Sequence, residues 1–314
     1  MSTKFLLLVT VLAHSFLPAQ NSRNGALLGT GYRIPSNVIT AAPGQLIMIS
    51  VSGIALKATN PIRGVPSSTG YPLELNGIKV RITQSGGAPK EAGLIAVQQT
   101  GCPASAGNCI PTTSITLLIP EILGTDSSRW FDRASTLDVM DGAVTVAEFP
   151  LRAVSDNLHI MNSCDATLVF MSIFYDVPNA NSCLPNVIQD QRLVNTNNPI
   201  KPGSGVASYL YGGGASVVGD DPFGRAETVQ SFDLHFDYRP NAPGSRAVPG
   251  FGLTGKPFLS VGYNGGHYQV NFMVPPIPDG LQLPRCDGTL IRSNLTITIS
   301  GSYSMDSASF CVVP

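Results

Sequence analysis

The sequence predicts an all-β protein of stacked antiparallel β-sandwiches, and three observations carry that prediction. The 314-residue chain holds 32 Gly and 25 Pro, residues that punctuate short strands and interrupt helices. Its apolar runs are short, rich in β-branched and aromatic residues, and bounded by Gly, Pro, Asn or Asp, as strands between turns are. Convincing helical periodicity is scarce. At this length a hydrophobic content of 43% can fill two cores.

Taken in order, residues 1–19 have the layout of a secretory signal peptide. Lys4 precedes an apolar stretch from Phe5 to Ala13, and Leu17-Pro18-Ala19 leads into polar Gln20-Asn21-Ser22, with cleavage expected after Ala19. The mature product is then expected to be secreted, on the cell surface or in the periplasm. No later apolar run approaches the ~18 residues of a membrane helix, so no membrane span is expected. After an N-terminal segment over 20–40, a first sandwich is expected over 41–181, with strands at 45–51, 78–83, 114–119, 143–149 and 167–174. Asp126 could cap one short helical turn over 126–133. A linker is expected over 182–198, where Asn, Gln, Pro and Asp cluster. The second sandwich is placed over 199–314, with strands at 206–211, 230–238, 258–261, 268–274, 294–300 and 309–313.

Six cysteines follow the signal, and an oxidising compartment would let all of them pair. They fall in sequential couples, Cys102 with Cys109, Cys164 with Cys183 and Cys286 with Cys311, a scheme that keeps almost every bridge inside one expected domain although the connectivity stays open. A zinc site fits poorly, since no C-x-x-C occurs and only His159 lies near a cysteine, Cys164.

An internal repeat of roughly 150 residues points to duplicated domains. Ala41-Ala42-Pro43-Gly44 before an apolar strand has a partner in Pro199-Ile200-Lys201-Pro202-Gly203. Ile115-Thr116-Leu117-Leu118-Ile119-Pro120 is echoed by Val270-Asn271-Phe272-Met273-Val274-Pro275.

At these residues the chain resembles the tandem immunoglobulin-like C-terminal domains of a family of secreted bacterial proteins, mostly of unassigned function. The resemblance is carried in the first half by Ala42-Pro43-Gly44-Gln45-Leu46-Ile47 and Asn76-Gly77-Ile78-Lys79-Val80. In the second half it is carried by residues 199–203, Asp237-Tyr238-Arg239-Pro240-Asn241-Ala242, Tyr268-Gln269-Val270-Asn271-Phe272-Met273-Val274-Pro275 and Ser293-Asn294-Leu295-Thr296-Ile297. It implies two tandem antiparallel immunoglobulin-like β-sandwich domains and an exported, bacterial location. It supplies no catalytic residues.

Charge excludes some partners. Nineteen basic against 20 acidic side chains leave a net charge of −1, so no nucleic acid is expected to bind through basic charge. Catalytic signals are sparse: beyond the signal only His159, His235 and His267 remain, and neither G-x-S-x-G nor H-E-x-x-H occurs. The pattern Gly250-Phe251-Gly252-Leu253-Thr254-Gly255 matches G-x-G-x-x-G but is flanked by Pro249 and Lys256-Pro257, which reads as a surface loop. Gly212-Gly213-Gly214 reads as a sharp bend between strands, Asp220-Asp221 as a turn, and the sequon Asn294-Leu295-Thr296 as idle within a strand. No cofactor is expected.

The segment from Phe232 to Tyr238 alternates strictly, which places Asp233, His235 and Asp237 on one face. Two carboxylates around an imidazole are candidate metal ligands, whereas a solvated outer sheet face is the expectation. Trp130 and Tyr211 are candidate contacts for a partner, an extracellular protein or a glycan. The expected function is therefore a secreted, non-catalytic structural or protein-interaction module and not an enzyme. A carbohydrate-binding or adhesive surface protein is the alternative, and it needs coplanar exposed aromatics from Trp130, Tyr211, Tyr263 and Tyr268. A hydrolase with a site built from distant loops would need His159 or His267 joined to a carboxylate and a serine.

Overall fold

A computed structural model describes residues 27–29, 38–56, 60–68, 70–100, 110–120, 135–162, 187–190, 192–194, 197–214, 232–238, 251–255, 259–264, 267–285 and 294–313. Every regular element among them is a strand. The expected signal peptide, the 126–133 turn and the 167–174 strand lie outside the described residues.

The first ten strands are β1 Leu27–Gly29, β2 Ile39–Ala41, β3 Leu46–Ser52, β4 Ile62–Arg63, β5 Ile78–Gln84, β6 Lys90–Glu91, β7 Gly93–Gln99, β8 Thr112–Leu118, β9 Ser135–Asp141 and β10 Val144–Ala153. They form two five-stranded sheets, β1-β3-β8-β7-β4 and β2-β10-β9-β5-β6. Alternation along β5 buries Ile78, Val80 and Ile82 while Lys79 and Arg81 face outward, because successive side chains of a strand point to opposite faces. One core draws on both sheets, with Ile49, Leu94 and Ile115 from one layer and Val80, Leu137 and Leu151 from the other. The unit is thus sandwich-like, each such side chain contributing ~1.5–3 kcal/mol by burial.

The remaining strands are β11 His159–Ile160, β12 Val187–Gln189, β13 Arg192–Leu193, β14 Gly205–Tyr211, β15 Asp233–Tyr238, β16 Phe251–Gly255, β17 Leu259–Asn264, β18 His267–Met273, β19 Leu295–Ser300 and β20 Met305–Phe310. They form a sheet of order β13-β12-β14-β18-β17, with β11 also on β14, and a second sheet of order β16-β15-β19-β20. A separate core again takes side chains from both, including Leu210, Val270 and Phe272 from one and Phe236, Ile297 and Phe310 from the other.

The strand order repeats. β3-β8-β7 corresponds to β14-β18-β17, and β10-β9-β5-β6 corresponds to β20-β19-β15-β16. The repeated Pro-Gly motif sits at the same place in both. Gly44 (φ +65°) and Gly203 (φ +76°) occupy the left-handed region that glycine adopts without strain. Gly44 donates its N–H to Ile119 O and Gly203 to Val274 O, in each case the residue before a proline. Just upstream, β2 runs parallel to β10, and Ile200 makes a parallel bridge to Val312. The turn therefore carries the chain from one sheet to the other. A buried glutamine braces each turn: Gln45 Oε1 accepts the Ala42 N–H at 2.8 Å, and Gln189 Oε1 accepts the Lys201 N–H at 2.9 Å.

Three expectations need correction. Within the expected linker over 182–198, the described stretches include β12 and β13, and Val187 and Val194 are buried in the second core. The changeover between cores falls instead between Ala153, in the first, and Leu158, in the second. Ser155-Asp156-Asn157 marks it and looks like any polar turn in sequence. The Gly-rich run expected as a loop contains β16, whose Phe251–Gly255 pairs with β15 from Tyr238 to Leu234. The last strand spans Met305–Phe310 rather than 309–313, because polar Ser and Asp there mask its pairing with β19.

Candidate functional site

β15 lies inside its sheet, between β16 and β19, and its alternation is strict. Phe232, Leu234, Phe236 and Tyr238 are buried, Asp233 and His235 are exposed, and Asp237 is half-buried. Phe236 packs against Phe272 with ring centroids 5.7 Å apart. Tyr238 reaches the opposite layer and donates its hydroxyl to Pro275 O at 2.6 Å. Burial pushes its phenol up to about 12. The anchored inner face fixes the outer one: Asp233, His235 and Asp237 stand beside Ser300, Thr298 and Thr296 of β19, which pair in turn with Met305, Ser307 and Ser309 of β20. Thr298 and Ser307 share a hydroxyl hydrogen bond of 2.8 Å.

Side chains on one strand face are ~7 Å apart, so Asp233, His235 and Asp237 form a row and do not converge on one point. Among the described residues no group of three His, Cys, Asp or Glu side chains could hold a metal ion. Chemically this is a hydroxyl-rich and acidic sheet face suited to hydrogen bonding.

A second constellation forms where the two units meet. Tyr211, expected as a partner contact, is fully buried at 0% exposure. It points outward from β14 but is covered by Leu46 and Ile95 of the first unit and by Met161, since alternation identifies an outer face without telling which outer face is covered. Its ring stacks on His159 at 6.3 Å with 8° between the planes. His159 Nδ1 lies 3.1 Å from Asp306 Oδ2, and its Nε2 lies 3.5 Å from Asn162 Nδ2. Burial alone would raise the Asp306 pKa. The hydrogen bond from His159, the Ile160 N–H, the imidazole charge and the Ser307 N–H outweigh it and hold the carboxyl below its usual range. The structure thus joins His159 to a carboxylate, an orienting pair, while the Ser304 hydroxyl is engaged by Asp156 and the Leu158 N–H.

Tyr268, a candidate for sugar stacking, is also fully buried. Trp130 lies outside the described residues, as do Asp220, Asp221, Cys102, Cys109, Cys164, Cys183 and Cys286. Cys311 is disulfide-bonded. Asn294 of the sequon is 2% exposed, and its amide donates to Pro284 O and Val312 O and accepts from the Val312 N–H. Sequence reasoning missed Asp156, Ser304 and Asp306, whose only signal was a polar residue next to a turn.

No family model matches the sequence, and no curated protein does. Among solved structures, the chain was aligned with a pullulanase complexed with maltotriose from Anoxybacillus sp. LM18-11 at 8% identity over 88% of this chain, with a TM-score of 0.21. The chain spans only 27% of that protein's length. It was also aligned with DIP-gamma IG1+IG2 at 10% identity, covering 93% of this chain and 98% of the other, with a TM-score of 0.17. TM-scores this low establish no shared fold.

Proposed function

We propose that this chain is an exported, non-catalytic extracellular module of two tandem immunoglobulin-like sandwiches that meets a protein partner through its outer sheet faces. The observation that carries the reading is the duplicated strand order. In each unit it matches an immunoglobulin pattern with strands B, E and D on one sheet and C, F and G on the other, with β3, β8 and β7 facing β5, β9 and β10. Export is supported by the leader-like residues 1–19 and by the disulfide at Cys311. The resemblance to secreted bacterial immunoglobulin-like domains points the same way. The contact face favoured is the one bearing Asp233 and His235, both exposed on a rigid central strand, because a fixed array of donors and acceptors costs little ordering entropy on binding.

The test uses the intact secreted chain with a photo-crosslinking residue in place of His235. A protein adduct formed on the host exterior and lost on Asp233→Lys is the expected result. Retention on a glycan array would replace the reading with a carbohydrate-binding one, and hydrolysis abolished by His159→Gln would replace it with an enzyme.

A further inference from the structure

We propose that residues 154–162 form a latch that sets the angle between the two units, and that Asp156 is the group that closes it. Each unit has its own core, so neither needs the other to bury its apolar faces. The apolar seam between them is small, with Leu46, Met161 and Tyr211 fully covered, Ile95 nearly so, and Tyr71 and Tyr209 packed at its edge. What fixes the seam is polar. Asp156 is 0% exposed, and its carboxylate accepts from Tyr303 N–H at 2.8 Å, Ser304 N–H at 2.7 Å, the Ser304 hydroxyl at 2.6 Å and the Ser155 hydroxyl at 3.1 Å. Ser304 Oγ accepts the Leu158 N–H in return. Charge-assisted bonds of this kind are roughly twice as strong as neutral ones.

The next residue grips the other unit. Asn157 donates its amide to Thr40 O at 3.0 Å and Gln45 Oε1 at 3.2 Å, so it reaches the Pro-Gly turn of the first sandwich. Across the same joint the Arg152 guanidinium lies 5.4 Å over the Tyr303 ring, within cation–π range. Two glycines make room for the segment. A Cβ at Gly212 would stand 2.0 Å from Asn157 O, and one at Gly301 would stand 2.6 Å from Asp156 Oδ1.

Asp156→Asn keeps the shape but turns one acceptor oxygen into an NH₂ that faces N–H donors. The expected result in the full chain is a larger maximum dimension in small-angle X-ray scattering, with cleavage inside 154–162 accelerated about tenfold, while circular dichroism retains the wild-type strand signal. Ser304→Ala, which leaves the carboxylate in place, should move both readouts in the same direction by less and decides the matter if Asp156→Asn does not fold. Unchanged scattering and cleavage in a folded variant would overturn the latch, as would equal changes from Ile82→Val, a core substitution remote from the joint.

Discussion

Among the described residues, the first unit closes its core with aliphatic side chains, Phe149 being the one aromatic in that buried cluster. The second packs Phe232, Phe236, Tyr238, Tyr268, Phe272 and Phe310 into the same strand order. The difference teaches that the shared architecture is set by backbone hydrogen bonds and by the Pro-Gly crossing, while the filling of the space between the sheets is free to vary. Cores accept such variation when volume and pattern are kept.

The largest expected effect tests that contrast directly. Phe236→Ala should cost ~3–5 kcal/mol, more than Leu137→Ala in the first unit, and each should lower its own transition in calorimetry. Equal losses would end the distinction between the cores. Gln45→Leu should cost ~1–3 kcal/mol by leaving the buried Ala42 N–H unpaired, and Gln189→Leu, which releases the N–H of exposed Lys201 and the Ser204 hydroxyl, about 0.5–1.5 kcal/mol, as measured by urea denaturation. Gln45→Leu should be the more damaging, because the Ala42 N–H and Asn157 amide it releases are buried, whereas the partners of Gln189 are only partly so.

Acid should strike the second unit selectively through Asp306. Its folded pKa is lowered, so its contribution is whole above the unfolded value of ~3.9 and is lost as pH falls through the folded value. Asp306→Asn should flatten the acid limb of melting temperature against pH. Tyr238→Phe should cost about 1 kcal/mol. The wild-type phenol titrates at about 12 when folded against 10.0 ordinarily, so its stabilisation is whole below the lower value and disappears as pH rises from there through the higher one. The variant should lack that alkaline loss. The smallest effect concerns Ser208, which is 1% exposed and whose hydroxyl has no hydrogen-bond partner among the described residues. Ser208→Ala should raise stability by at most ~0.5 kcal/mol in the same urea series.

Much of the fold was legible in the residues. Strands with clean alternation, such as β5 and β15, sit where the pattern puts them, and the Pro-Gly repeat marks equivalent turns. β7 was missed because Leu94-Ile95-Ala96-Val97 is apolar on both faces, one facing the core and the other the seam. β9 escaped because Asp138 interrupts it, and that residue is buried because Arg81 on β5 meets its carboxylate at 2.8 Å. The outer row at Asp233, His235 and Asp237 could be read from period two. The joint could not: Asp156 and Ser304 meet through a chain separation of 148 residues, which no local pattern records.

The parallel register of β2 on β10 has a mechanical consequence. Ile39 lies beside Leu151, Thr40 beside Arg152 and Ala41 beside Ala153, so β2, the second strand of the first unit, and β10, its last, point the same way. Once β1 has left β3, tension applied from the two flanks drags them past each other lengthwise, and these rungs must fail together instead of peeling one after another. Those three rungs would therefore act as a shear clamp when the first unit is stretched.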